Sequence, residues 1–153
     1  MNDKLRIYYA GGPGDIVGTF RHWLAGETDP SELAVAYSSQ CFDFAKQQGA
    51  ELLAVSSCAR RDEVQSGGMK VRNRPAFPSS DRGLGYHLRQ MISGLRLLAD
   101  LFRFRPDVAV IAEGTAPWCL LFAVRRLGIR ILPSLHCVVR TKRDAESIVS
   151  GIR

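Results

Sequence analysis

The chain has 153 residues, 46% of them apolar and 24% charged, the size and composition of one globular domain, which excludes wholesale disorder and fibrous repeats. Its longest apolar run, Ala116 to Val124, contains Pro117 and is far short of the roughly 20 residues a transmembrane helix needs. Leu5 to Ala10 is too short for a secretory segment, so a cytosolic protein is expected, and the net charge of +6 favours an anionic partner without naming one.

Leu5-Arg-Ile-Tyr-Tyr-Ala10 is rich in aromatic and β-branched types and runs into Gly11-Gly12-Pro13-Gly14-Asp15, a strand ending in a tight loop. Ile16, Val17, Phe20, Trp23 and Leu24 then recur at helical spacing, and Gly26 sits where that helix would stop. Leu33 to Tyr37 reads as a second strand. Ser38 and Ser39 can cap a helix from Gln40 to Gln48, closed by Gly49, and Glu51 to Ser56 is a third strand. Cys58 to Gly68 is expected to be a loop or short helix. Met69 to Arg74 has strand character, stopped by Pro75. A long helix follows from about Gly83 to Arg103, whose Leu84, Leu88, Met91, Leu95, Leu98 and Phe102 predict a core-facing stripe. Asp107 to Ala112 is a continuous apolar strand of the kind buried in parallel sheets. Thr115 starts a helix that ends near Gly128, Ile129 to Leu135 is the last strand, and residues 141–153 form a polar tail.

Strands alternate with helices over short connections, and no Asn-Gly hairpin signal is present. The pattern predicts an α/β fold, an open parallel sheet with helices on both faces. Such sheets bind ligands at the carboxyl ends of their strands. The loop carrying Gly12, Gly14 and Asp15 lies there, and either makes a tight turn or brings backbone N–H groups to a phosphate. A dinucleotide fingerprint is disfavoured, because Val17 stands at its third glycine position and no acidic residue follows Tyr37. Glu113 and Thr115 follow the buried strand, either as a ligand-binding pair or as a capping arrangement. His136 follows the last strand, where an imidazole can hydrogen-bond a phosphate or orient a hydroxyl. His22 and His87 have no such placement. The four cysteines, 17, 61 and 18 residues apart, form no Cys-x-x-Cys pair, so no metal site is expected and all four read as buried small hydrophobes.

Arg82, Arg89, Arg96 and Arg103 recur every seven residues along the long helix. Either they line a solvated flank, their stems covering apolar surface, or they join Arg60, Arg61, Lys70, Arg72 and Arg74 in a patch for anionic lipid headgroups. Aromatic residues are not interleaved with these charges, so a nucleic-acid stacking surface is not indicated.

Leu5 to Asp15, Pro106 to Thr115 and Pro133-Ser-Leu-His-Cys137 together resemble the N-terminal domain of family 4 glycosyltransferases over about residues 4–140. The resemblance implies residues 1–140 as one Rossmann-like half of a GT-B enzyme, which transfers sugar from a nucleotide diphosphate to an acceptor with retention and without metal or other cofactor. It implies acceptor binding by this half, with Gly12, Gly14, Asp15, Glu113 and Thr115 lining the cleft and His136 assisting transfer. Partners implied are a sugar acceptor, lipid-linked in many relatives, and peripheral contact with the inner membrane face; nucleic acid is not implied. The family keeps its donor-binding machinery in a C-terminal domain, so the chain ending at Arg153 is expected to be inactive without a donor-binding half. The alternative is a non-catalytic Rossmann-type module that binds a phosphorylated ligand or an anionic membrane surface.

Overall fold

The computed structural model describes residues 4–31, 37–75, 84–112, 124 and 127–134. In chain order the elements are β1 (Arg6–Pro13), α1 (Ile16–Ala25), α2 (Tyr37–Gln47), β2 (Glu51–Cys58), β3 (Asp62–Ser66), β4 (Met69–Pro75), α3 (Leu84–Phe104), β5 (Val108–Ala112) and β6 (Arg130–Ser134). They build a six-stranded open sheet in the order β3-β4-β2-β1-β5-β6. All neighbours run parallel except the edge strand β3, which is antiparallel to β4. The expected α/β architecture is therefore present.

Alternation along each strand divides the core between the two sheet faces. Ile7, Tyr9, Leu52, Ala54, Met69 and Val71 pack with Val17 and Phe20 of α1 and Phe42 of α2. Tyr8, Ala10, Leu53, Val55, Ala109 and Ile111 pack with Leu97, Leu98 and Leu101 of α3, and Val124 and Ile129 complete that cluster. The connection from β1 to β2 thus lies on one face and the connection from β4 to β5 on the other. Strand order reverses at β1, and in sheets of this type that reversal opens a crevice at the carboxyl edge.

Several expectations need correction. Tyr37 is not the end of a strand but the first residue of α2; residues 32–36 lie outside the described ones. The segment expected to be a loop or short helix holds β3, and Ser66 pairs with Met69 across a two-residue hairpin turn. Gly67 and Gly68 have φ of 57° and 85°, and two successive left-handed residues are what a tight hairpin turn matched to strand twist demands. Gly-Gly supplied the signal that Asn-Gly would have given.

The stripe on α3 is the second correction. Leu84, Leu88, Met91, Leu95 and Phe102 are exposed, and of the expected residues only Leu98 is buried. The buried face is Gly94, Leu97, Leu98, Asp100 and Leu101. Leucines at 95, 97, 98 and 101 offer overlapping stripes, and the one chosen is the one that brings Asp100 to β4 (below).

Cys41 and Cys58 are half-buried rather than fully buried, and Cys119 and Cys137 lie outside the described residues. Burial pushes the Cys41 thiol up to about 12, so it stays protonated near neutral pH. Most of the helix expected from Thr115 also lies outside the described residues. No described helix is long and apolar enough to cross a membrane.

Candidate functional site

Strands β1, β2 and β4 end side by side, since Pro13 pairs with Ser57 and Cys58 with Pro75. The glycine loop caps this edge and is held from both neighbouring strands. Gly14 donates its N–H to the Ser57 carbonyl at 2.9 Å. Ser56 Oγ lies 2.7 Å from the Gly14 carbonyl and 2.9 Å from Asn73 Oδ1, and its single proton serves one of them at a time. Gly12 and Gly14, with φ of 78° and 149°, take backbone conformations that side chains disfavour, so the turn itself requires glycine.

Asn73 is buried at 1% exposure and ties the loop to the first turn of α1. Its Oδ1 accepts from the Val17 N–H at 3.3 Å and its Nδ2 donates to Asp15 Oδ1 at 2.5 Å. A flipped amide would set donor against donor and acceptor against carboxylate, so these partners fix its orientation. Asp15 is the N-cap of α1 and accepts the Gly18 N–H at 2.8 Å. That backbone hydrogen bond first, and the Asn73 amide second, hold its carboxyl below the usual 3.8.

The chemical consequence is specific. The Val17 and Gly18 amides, which would greet a phosphate at the opening of α1, are engaged by Asn73 and Asp15, and the Asp15 carboxylate sits on the positive helix end. The Gly14 amide is engaged as well. An anion arriving at this turn meets the Asp15 carboxylate, with these three amides already engaged.

One residue along β4, the side chain points to the other face. Lys70, Arg72 and Arg74 alternate with Met69, Val71 and Asn73, placing a row of cations on the α3 side. Glu63 on β3 holds Lys70 and Arg72, each at 2.7 Å. The Lys70 hydrogen bond leads the interactions that keep the Glu63 carboxyl below its ordinary range. Arg74 pairs instead with Asp100 of α3, and Tyr8 donates its hydroxyl to the same carboxylate oxygen at 3.2 Å. Burial first, and the Asp100 charge second, push the Tyr8 phenol far above its usual value, so it remains a donor.

Above this trio lies a small cleft of about 60 Å³, lined by Tyr8, Gly12, Ser57, Arg74, Ser93 and Arg96 among others. It opens at the carboxyl edge. A more open depression lies around Trp23, Gly26, Asp43 and Lys46, beside the far end of α1.

Of the residues expected at the site, Gly12 and Gly14 form the turn, with Gly12 in the cleft wall, and Asp15 caps α1 on the opposite face. Glu113, Thr115 and His136 lie outside the described residues. The strands before them end together at the same edge, since Ala10 pairs with Ile111 and Ala112 with Ser134. Arg74 and Arg96 were expected only as members of a headgroup patch, or for Arg96 of a solvated flank, and Ser57 and Ser93 were not expected as site residues. A signal for the first was available: Asp100 is the lone acid in an apolar helix segment and needed a cation opposite it. Strand β2, the true neighbour of β1, ends Ser56-Ser57-Cys58, so the acid that would hold a dinucleotide ribose is missing there too. Among the described residues no group of three or more His, Cys, Asp or Glu is placed to hold a metal ion.

No family model matches this chain, and no curated protein matches it.

Proposed function

We propose that the chain is the acceptor-binding half of a retaining nucleotide-sugar-dependent glycosyltransferase, inactive without a donor-binding half. The observation that carries this reading is the reversal of strand order at β1, with a hydroxyl- and arginine-lined cleft at the carboxyl edge. The strands within the three segments that resemble the glycosyltransferase family, β1, β5 and β6, end at that edge. Serine hydroxyls and guanidiniums suit a polyhydroxylated acceptor, which offers many oxygens and little apolar surface.

In this reading the chain orients one acceptor hydroxyl. The bond from sugar C1 to the nucleotide phosphate oxygen breaks, the acceptor oxygen bonds to C1 as its proton passes to that departing phosphate oxygen, and the nucleotide diphosphate leaves from the donor-binding half. In this reading His136 hydrogen-bonds the sugar or the acceptor, and Glu113 and Thr115 serve acceptor binding. The exposed apolar face of α3, with Leu88, Met91 and Leu95 next to Arg96, favours an acceptor presented at an anionic membrane surface.

The test mixes the full chain with a donor-binding domain, a labelled nucleotide-sugar and candidate acceptors. Transfer is expected only in the mixture, and His136→Ala is expected to cut it at least tenfold while acceptor binding persists. Tight nucleotide binding by the chain alone, with no acceptor binding, overturns the proposal in favour of a non-catalytic module for phosphorylated ligands.

A further inference from the structure

We infer that the first half of α3, Leu84 to Ser93, is an interfacial helix that docks the carboxyl edge of the sheet onto an anionic lipid surface. The inference deepens the reading above, on which it rests for the use of such docking, by naming the element that meets the membrane.

The course of the helix comes first. Its buried residues, Gly94, Leu97, Leu98, Asp100 and Leu101, all lie in the second half. Ser93 and Leu97 reach the cleft at the carboxyl edge together with Ser57 and Pro75. The chain leaves α3 at the amino edge, where Asp107 donates its N–H to the Arg6 carbonyl at 2.9 Å. Residues Leu84 to Ser93 therefore run past the strand ends as about 15 Å of helix, and none of them is buried. A helix so short is marginal in water unless something packs on it.

Its surface comes next. Leu84, Leu88, Met91 and Leu95 recur every three or four residues, which sets them in one stripe along the helix. Leu84 and Leu88 keep 90% and 60% of their surface exposed, and Met91 and Leu95 about half. Single exposed leucines are ordinary, but four large apolar side chains in a row form a patch that calls for a partner. Tyr86, also exposed, adds a ring with a polar tip, the shape that suits a headgroup boundary.

Charge decides which partner. From Leu84 to Ala99 the helix has no acid, and Asp100 is turned inward to Tyr8 and Arg74. The turn between β2 and β3 rises from the same edge, since Cys58 pairs with Pro75. Its Arg60 and Arg61 are exposed and pair with no acid among the described residues, while the neighbouring Asp62 is taken by Arg21 at 2.9 Å. A second copy of the chain, itself carrying +6, would bring like charge to this edge. An anionic headgroup layer takes the apolar stripe and the two arginines together. The cleft lies at the same edge, so docking there turns its mouth to the headgroups.

The experiment floats the full-length chain with vesicles of mixed phosphatidylglycerol and phosphatidylcholine, and with vesicles of phosphatidylcholine alone. Binding to the first is expected, and binding at least tenfold weaker to the second. Leu88→Ser combined with Met91→Ser is expected to weaken the partition at least tenfold. Arg60→Gln combined with Arg61→Gln keeps the apolar stripe and is expected to weaken binding to the anionic vesicles severalfold. Phe44→Ser, at a similarly exposed apolar residue of α2 across the sheet, is the control and is expected to change little. Thermal melts show whether each variant is folded, and Leu84→Ser, at the most exposed position of the stripe, tests the surface if the paired serine variant unfolds. No vesicle binding, equal binding to both vesicle types, binding unmoved by the serine substitutions, or equal loss from Phe44→Ser overturns the surface. A dimer in sedimentation that the serine substitutions disperse, without vesicle binding, replaces the lipid by a second copy. Vesicle binding with no sugar transfer in the mixed assay leaves this surface standing and removes the acceptor-half reading. Transfer to a soluble acceptor with no vesicle binding does the reverse.

Discussion

The two faces of this sheet solve the same packing problem differently. On the α1/α2 side, Phe20 meets Trp23 and Phe42 with ring centroids 5.5 and 4.9 Å apart, and the polar groups at the carboxyl edge satisfy one another. Ser56, Asn73 and Asp15 are bound to the loop and to α1, and Asp29 below them takes Thr19 and Ser31. On the α3 side, leucines cover β1 and β2, but the edge carries Arg74, Asp100 and Tyr8 beneath an opening. Neighbouring residues make the contrast plain: Tyr9 points its hydroxyl towards Ser38, and Tyr8 points its own into the charged trio. A face whose polar groups close on themselves is a structural clamp. A face that keeps a held guanidinium at an opening can recognise something else.

The largest break in this comparison is Phe42→Ala, which empties the centre of the aromatic cluster. It is expected to cost about 3–5 kcal/mol, read from the urea midpoint. Asp100→Leu comes next. It leaves the Arg74 guanidinium without its carboxylate, and because that side chain is 21% exposed the expected loss is about 2 kcal/mol, below the range for fully buried pairs. A stabilised Asp100→Leu protein would show that the trio is not needed to seat α3.

The smallest effect sharpens the clamp side. Asp15→Ala removes an N-cap and is expected to cost about 1 kcal/mol near neutral pH. Its folded-state carboxyl lies below the unfolded value, so the stability it contributes is present above about pH 3.8 and disappears as pH falls through the depressed folded value. Denaturation of wild type and variant at neutral and at strongly acidic pH is expected to show the gap closing on acidification. A gap that stays constant or widens contradicts the hydrogen bonds assigned to Asp15. The clamp side carries a second such group. Burial raises the Asp29 carboxyl, but hydrogen bonds from Thr19 and Ser31 outweigh it and leave the group lowered, so it titrates with the same sign.

Much of the fold was legible residue by residue. The run Leu5 to Ala10, the helical spacing from Ile16 and the apolar stretch after Asp107 each announce their element, because periodicity is a property of consecutive residues. The hairpin at Gly67-Gly68 was legible in principle, through two glycines able to take left-handed φ. The site was less legible. Asp15 stood out beside its glycines and its cap on the Gly18 N–H is local, yet its other partner, Asn73, lies 58 residues away.

Sequence by itself determined most of the strands and helices, though not β3 or the start of α2, together with the positive balance and the glycine turn after β1, all of which follow from neighbours along the chain. Only the tertiary structure decided which stripe of α3 is buried, that the loop amides are engaged, and that Arg74 meets Asp100 across 26 residues and Tyr8 meets it across 92. The physical reason is that a buried polar group must find its partner wherever the packed chain brings one, and separation along the chain does not reveal which it will be.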